Sequence, residues 1–107
     1  MSNEPTPNRV RVLVYAQAPD EGPDAVEAAY HEISQALDGT PGLLGNELLR
    51  AADDPAAFIV MSEWASFDAF RSWEEGAEHR DATSPLRRYQ RPPGTRPFGI
   101  FEVTATY

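Results

Sequence analysis

The sequence contains no cysteine and no lysine, and these two absences exclude several kinds of chemistry. Without cysteine, the chain has no disulfides, no thiol nucleophile and no thiolate metal site. Without lysine, it has no side-chain amine that could form a Schiff base or anchor a pyridoxal cofactor. The nine basic residues are therefore all arginines.

Basic residues are also outnumbered, because 17 acidic side chains leave a formal net charge of -8 at pH 7. An acidic surface repels phosphate groups, so nucleic acid and anionic membranes are not expected partners. No apolar run approaches the roughly 20 residues that cross a membrane as a helix. Residues 1–8 are polar and contain proline, and they resemble neither a signal peptide nor an anchor. We expect a cytoplasmic protein with a disordered N-terminal tail at 1–8.

The 107 residues, of which 41% are hydrophobic, predict a single domain over 9–107. Alternating or continuous apolar residues predict strands, and apolar residues at helical spacing predict helices. The predicted strands are 9–17, 43–51, 57–64 and 98–107. The predicted helices are 24–38 and the segment between Ser66, which is predicted to be its N-cap, and Gly76. Residues 78–89 are predicted to form a further short helix or turn. The order β-α-β-β-α-β predicts an α+β, ferredoxin-like fold, with helices on one face of a four-stranded antiparallel sheet.

The predicted strands are apolar on both faces, although helices cover only one. Phe58 and Val60 alternate with Ile59 and Met61 in the third strand. A solvated face should carry polar residues at alternate positions. We therefore expect a second copy to cover the other face, which gives a homodimer, a dimeric α+β barrel. The alternative is that these side chains are slightly exposed to solvent and are there because they favour strands.

Several short motifs resemble a known family in their order and spacing. Upstream stands Pro41-Gly42-Leu43-Leu44-Gly45-Asn46-Glu47; then come Glu63-Trp64-x-Ser66, Phe70, Trp73 and His79-Arg80; the last is Thr83-x-Pro85-Leu86-Arg87-x-Tyr89. Together they resemble the antibiotic biosynthesis monooxygenase family of small dimeric α+β barrels. The resemblance implies that the chain oxidises an aromatic polyketide, at an anthrone carbon, to a quinone. It also implies that O2 is the co-substrate and that no metal, flavin or haem takes part.

The resemblance places Trp64 at the position of the family's pocket tryptophan, where its indole N–H can donate to a substrate oxygen. The alternative is a core tryptophan at a strand end. Phe70 and Val60 stand where some relatives carry tyrosine and asparagine, so two polar groups of that subgroup are absent here. Trp73 shares a helical face with Phe70 and is either a pocket wall or a core residue.

His79 is the histidine that lies near these aromatic residues in the sequence, and it is the candidate base. The alternative is a surface histidine among charged neighbours. Further candidates for substrate binding are Arg80, Asn46, Tyr15 and Tyr89.

Cofactor sites find little support in the sequence. Haem-degrading relatives carry a histidine about ten residues after the helix tryptophan, and here that position is Thr83. A metal site is not expected, because the two histidines, His31 and His79, are far apart and no carboxylates cluster at ligand spacing. No glycine-rich turn suited to flavin or nicotinamide follows a strand.

Two other functions use the same kind of pocket. A polyketide cyclase or aromatase needs no oxygen, and an accessory subunit of a synthase complex binds without catalysis. Oxygen uptake with an anthrone distinguishes a monooxygenase from these two alternatives.

Overall fold

The computed structural model describes residues 8–19, 22, 24–76, 89 and 98–107. Their elements are β1 Val10–Gln17, α1 Asp24–Leu37, β2 Leu43–Ala51, β3 Asp54–Trp64, α2 Phe67–Glu74 and β4 Phe98–Glu102. The order is β-α-β-β-α-β, so the predicted α+β, ferredoxin-like fold is confirmed.

The four strands form one antiparallel sheet in the order β2-β3-β1-β4. The register between the two central strands places Val10 opposite Trp64 and Ala16 opposite Phe58. Because side chains alternate along a strand, these residues share one face of the sheet. That face, called here the covered face, carries Val10, Val12, Ala16, Phe58, Val60 and Trp64, which are all buried.

Both helices pack on the covered face. The apolar stripe of α1, with Val26, Ile33 and Leu37, packs with Phe58 and Val60. Phe70 of α2 packs with Val10, Val12 and Trp64. The 3.6-residue spacing of the apolar side chains explains why each helix buries one stripe.

The position of α2 is fixed at its start. As predicted, Ser66 caps the helix, because its side chain accepts a hydrogen bond from the Ala69 N–H at 3.1 Å. Gly42, at φ +83°, approaches this first turn so closely that a Cβ there would lie 2.5 Å from the Ala69 Cβ. The Pro41-Gly42 turn therefore requires glycine both for its backbone conformation and for its contact with α2.

The opposite side of the sheet, called here the open face, is also apolar. It carries Leu13, Tyr15, Leu49, Ile59, Met61 and Phe101, as the strand registers require. Leu49 and Phe101 are 40% and 52% exposed. Neither α1 nor α2 packs here, so the predicted apolar second face is present.

Two predicted boundaries are wrong. β3 begins at Asp54 rather than at residue 57, because Asp54 already pairs with Ala51 across a tight turn. β4 ends at Glu102 rather than at Tyr107, because Glu102 pairs with Val10, the first residue of β1. Beyond that pair, one further hydrogen bond joins the Val103 N–H to the Arg9 carbonyl at 2.8 Å.

Other predictions fall outside the residues described. These are the tail at 1–7, and the segment 78–89 apart from Tyr89. In the part of the chain that the structure covers, no helix is long and apolar enough to cross a membrane.

Candidate functional site

Three aromatic residues predicted for the site lie together on the covered face. The ring centroid of Trp64 is 5.6 Å from that of Phe70, in an edge-to-face arrangement, and 5.2 Å from that of Trp73. Phe70 and Trp73 are separated by 6.0 Å. Trp64 and Phe70 are 1% and 3% exposed, whereas Trp73 is partly buried. β3 and α2 therefore form a continuous aromatic wall.

The indole of Trp64 is hydrogen-bonded within its own strand. Its Nε1–H donates to the Ser62 Oγ at 2.9 Å. Residues two apart on a strand share a face, so Ser62 also belongs to the covered face. A substrate oxygen would receive the Trp64 N–H directly only by displacing this serine.

Asn46 is held by α1. Its Oδ1 accepts hydrogen bonds from the Tyr30 hydroxyl at 2.5 Å and from the Ser34 hydroxyl at 3.0 Å. The Tyr30 hydroxyl also lies 3.2 Å from the Asn46 carbonyl oxygen. These contacts orient the Asn46 amide on the helix side of β2.

Asn46 and Ser62 are directly opposite each other on β2 and β3. Cβ atoms of such cross-strand neighbours lie about 4.5–5.5 Å apart. The two side chains, called here the polar pair, lie beside an apolar cross-strand pair, Leu48 and Val60. The polar pair and the aromatic wall meet at Ser62, which accepts the hydrogen bond from Trp64.

Of the remaining predicted site residues, the structure describes Tyr15 and Tyr89. Tyr15 pairs with Ile59 on the open face, so it does not share a face with Trp64. The carbonyl of Tyr89 accepts a hydrogen bond from the Gln17 N–H at 2.7 Å, and its side chain packs against the cluster of Ala16 and Phe58. His79 and Arg80 lie outside the described residues.

A cleft of about 220 Å³ opens beside Asn46, between the end of α1 and the start of β2. Its lining includes Ser34, Leu37, Asp38, Leu44 and Asn46. This cleft is at the β2 edge of the sheet, on the side of Asn46 away from β3.

The ion pairs among the described residues lie on the open face and on the exposed side of α2. Arg9 and Arg11 bind Glu63 with N–O distances of 3.5 and 3.1 Å, and Arg11 and Glu63 share the open face. On the exposed side of α2, the Glu75 carboxylate hydrogen-bonds to Arg71 and raises the pKa of that guanidinium. Such exposed pairs contribute little to stability.

Metal-ligating side chains do not gather in groups of three or more within the described residues. His31 is exposed on α1 and makes an edge contact with the ring of Tyr30. The prediction that the protein uses no cofactor is not tested by this placement.

Ser62, Tyr30 and Ser34 were not predicted for the site. One signal was available for Ser62, since it is a polar residue within the apolar segment AFIVMSEW and has the same parity as Trp64. Tyr30 has the spacing of the apolar stripe of α1, between Val26 and Ile33. No pattern in the sequence shows that its hydroxyl reaches Asn46, because that contact depends on how α1 crosses the sheet.

The sequence model of the antibiotic biosynthesis monooxygenase family matches residues 9–84. The chain therefore belongs to this family, as the resemblance of its motifs predicted.

Three relatives illustrate the range of proteins similar to it. Protein SchA of Streptomyces halstedii is 28% identical over 98 residues, which is 92% of this chain and 26% of SchA. A heme oxygenase (mycobilin-producing) of Mycobacterium tuberculosis is 33% identical over 55 residues, 51% of each protein. The structure of SnoaB, a cofactor-independent oxygenase from Streptomyces nogalater, matches with a TM-score of 0.74 and 19% identity, over 92% of this chain and 96% of that chain.

These relatives support different levels of inference. The likeness to SnoaB shows the shared fold, because its sequence identity is low. The match spans about a quarter of the length of SchA and about half that of the heme oxygenase. The activities of these proteins are therefore a basis for proposals about this chain.

Proposed function

We propose that this protein is a monooxygenase that oxidises an anthrone-type aromatic polyketide to a quinone with O2, without a metal, flavin or haem. The observation that carries the proposal is the aromatic wall of Trp64, Phe70 and Trp73 beside the polar pair, on the covered face of a chain that belongs to this family. Flat apolar surfaces with a few oriented polar groups are typical of sites for aromatic ligands.

The proposed reaction uses the electrons of the substrate. Removal of a proton from the activated CH2 group gives an electron-rich carbanion, which passes one electron to O2. The carbon radical and superoxide then combine to a peroxide, and loss of water leaves the carbonyl. The balance is one CH2 group and one O2 converted to one C=O group and one water. The protein must remove the proton, stabilise the anion and exclude bulk water.

Each proposed role follows from position. Phe70 and Trp73 form a wall against which an aromatic ring can stack. Trp64 supplies an N–H to the substrate oxygen, directly or through Ser62. Asn46 is a hydrogen-bonding contact on the neighbouring strand. Tyr15, on the open face, is assigned to the contact between copies instead.

His79 is the proposed base, with Arg80 and Tyr89 as further contacts to the substrate. If His79 accepts the proton, His79→Ala removes a pH-dependent step of turnover. The measurement is the pH–rate profile of both proteins, and an unchanged profile would reassign the proton to another group.

Haem is not part of the proposal, although a heme oxygenase is among the relatives. A haem iron is commonly held by histidine, cysteine or tyrosine. The histidine that the structure describes, His31, is exposed on α1 rather than facing the aromatic wall. Among the described residues, the covered face thus offers no histidine to a haem iron.

We also propose that the protein is a homodimer joined through the open face. Leu49 and Phe101 are exposed there, beside the partly buried Leu13, Ile59 and Met61. A contiguous apolar surface of this kind is typical of an interface. A twofold axis would place the same residues of both copies against each other.

The experiment is oxygen uptake with a dihydroxyanthrone, compared with and without enzyme. Catalysed uptake that yields the anthraquinone supports the proposed reaction. A ring-closed product formed from a linear polyketide without oxygen would instead indicate a cyclase. Ligand binding without any turnover would indicate an accessory subunit.

A further inference from the structure

We infer that the hydroxyl of Ser62 and the amide of Asn46 form a two-donor site for one acidic oxygen of the ligand, a phenolate or enolate, and that Trp64 is a positioning residue for Ser62. The inference deepens the proposed function and rests on it only for the chemical class of the ligand. It assigns the contact with the substrate oxygen to Ser62 rather than to the indole.

The direction of the Trp64 hydrogen bond determines whether the Ser62 hydroxyl can still donate a hydrogen bond. An indole N–H is a donor only, so at 2.9 Å the Ser62 Oγ must be the acceptor. The serine hydroxyl then keeps its own hydrogen. Within the residues that the structure describes, this hydrogen has no acceptor. A half-buried hydroxyl whose oxygen is already occupied is therefore ready to donate to a ligand.

The same reasoning applies to Asn46, once its amide oxygen is identified. The Tyr30 hydroxyl lies 2.5 Å from the atom assigned as Oδ1. This distance is normal for O–H···O and short for any N–H···O bond, so the oxygen faces Tyr30 and Ser34. The amide NH2 group consequently faces away from these two hydroxyls. Among the described residues it too meets no acceptor.

The two unused donors belong to neighbouring strands. Asn46 and Ser62 are a cross-strand pair, so their side chains project from the same face at about 4.5–5.5 Å. One oxygen atom between them can accept from both. Two oriented donors in a partly buried site favour an anion over its neutral acid. A phenol or enol bound here should therefore ionise more readily than in water.

A coloured ligand makes this ionisation measurable. A dihydroxyanthraquinone changes its visible absorbance when its phenol loses a proton, so its pKa can be titrated while it is bound to the intact protein. With the unaltered protein, we expect this pKa to lie below that of the free ligand. Ser62→Ala should raise it by about one to two pH units, since a hydrogen bond to a charged group is lost. Asn46→Ala should act in the same direction.

Three further variants separate a donor from a structural contact. Ser62→Thr keeps the hydroxyl and should restore the low ligand pKa. Trp64→Phe keeps an aromatic ring but removes the N–H that positions Ser62, so it should raise the ligand pKa by less than Ser62→Ala does. The matched control is Ser72→Ala, which removes an exposed serine hydroxyl of α2 and should leave the ligand unaffected. Thermal unfolding of each variant shows that it is folded at the temperature of the titration.

The outcomes test the two-donor site and the proposed oxidation separately. If Ser62→Ala titrates the ligand like the unaltered protein, or Trp64→Phe raises the ligand pKa more than Ser62→Ala does, the inference is overturned. The same holds if the unaltered protein does not bind the ligand or does not lower its pKa. A lowered pKa that depends on Ser62, without oxygen uptake by the unaltered protein, would support the inference and contradict the oxidation. If Ser62→Ala takes up oxygen with the substrate as fast as the unaltered protein does, the oxidation is supported and the inference is contradicted.

Discussion

The two faces of the sheet are both apolar, but they differ in where their polar groups stand. On the covered face, the polar pair has apolar neighbours along both strands: Asn46 is bound by α1, and Ser62 accepts the N–H of Trp64. On the open face, charged groups lie at one end, where Arg11 pairs with Glu63, and on the edge strand β2, where Glu47 is exposed. Polar groups with apolar neighbours can orient a small ligand, whereas an apolar patch with charges at its border is typical of contact with another protein. The difference supports the proposed division, in which the covered face binds the substrate and the open face binds a second copy.

The largest difference between the faces should be in stability. Trp64→Ala removes a side chain that is 1% exposed and should lower the free energy of unfolding by about 3–5 kcal/mol. Phe101→Ala removes one that is 52% exposed and should cost far less at low protein concentration. Urea unfolding of dilute protein compares the two variants. Equal losses would show that the open face is part of the same core.

Association tests the open face more directly. Leu49→Glu places a charge opposite Ile59 on the open face, and it should weaken the proposed dimer at least about a hundredfold, because an unpaired charge would be buried. The matched control is Leu44→Glu, since Leu44 is 54% exposed and lines the cleft beside α1 instead. Sedimentation over a range of concentrations measures both. If the Leu49→Glu variant still forms the dimer, or if the unaltered protein is a monomer, the open face is not a dimer interface.

How far the sequence predicts this molecule depends on whether a feature is local. The 2-residue alternation of Val10, Val12 and Ala16, and the apolar stripe of α1, gave the element order and the covered face, because burial of each element depends on its own period. The Ser66 cap was local too. The end of β4 is not a local feature, since it depends on where its neighbour β1 begins.

The site was predicted only in part, for the same reason. Trp64, Phe70 and Trp73 were found through the motif resemblance, and they lie together because β3 leads directly into α2. The bond between Tyr30 and Asn46 joins two separate elements, and no period in either one encodes it. Tyr15 was also a candidate for substrate binding, because alternation along β1 shows which residues share a face but not which face the helices cover; the register places Tyr15 on the open face.

Trp64→Phe should lower turnover, and this effect should be smaller than those of the preceding variants. The phenyl ring maintains the aromatic wall, while the loss of the N–H leaves Ser62 without its positioning contact. We expect turnover to fall by about tenfold, as for the loss of one neutral hydrogen bond, with the dimer intact. Oxygen uptake and sedimentation on the same sample check both statements. An unchanged rate would show that neither Trp64 nor its bond to Ser62 serves the reaction.

The smallest effect should come from Tyr30→Phe, which leaves the ring in place and removes only the hydroxyl that binds Asn46. Loss of one partly buried hydrogen bond should lower the free energy of unfolding by about 0.5–1.5 kcal/mol. Tyr107→Phe is the control, because Tyr107 is fully exposed and its hydroxyl should not matter. Urea unfolding and ligand titration of both variants would be compared. Since Ser34 still holds the Asn46 oxygen, ligand binding should weaken without being lost. If Tyr30→Phe matches Tyr107→Phe in both measurements, the tyrosine hydroxyl does not orient Asn46, and the polar groups of the covered face act independently of α1.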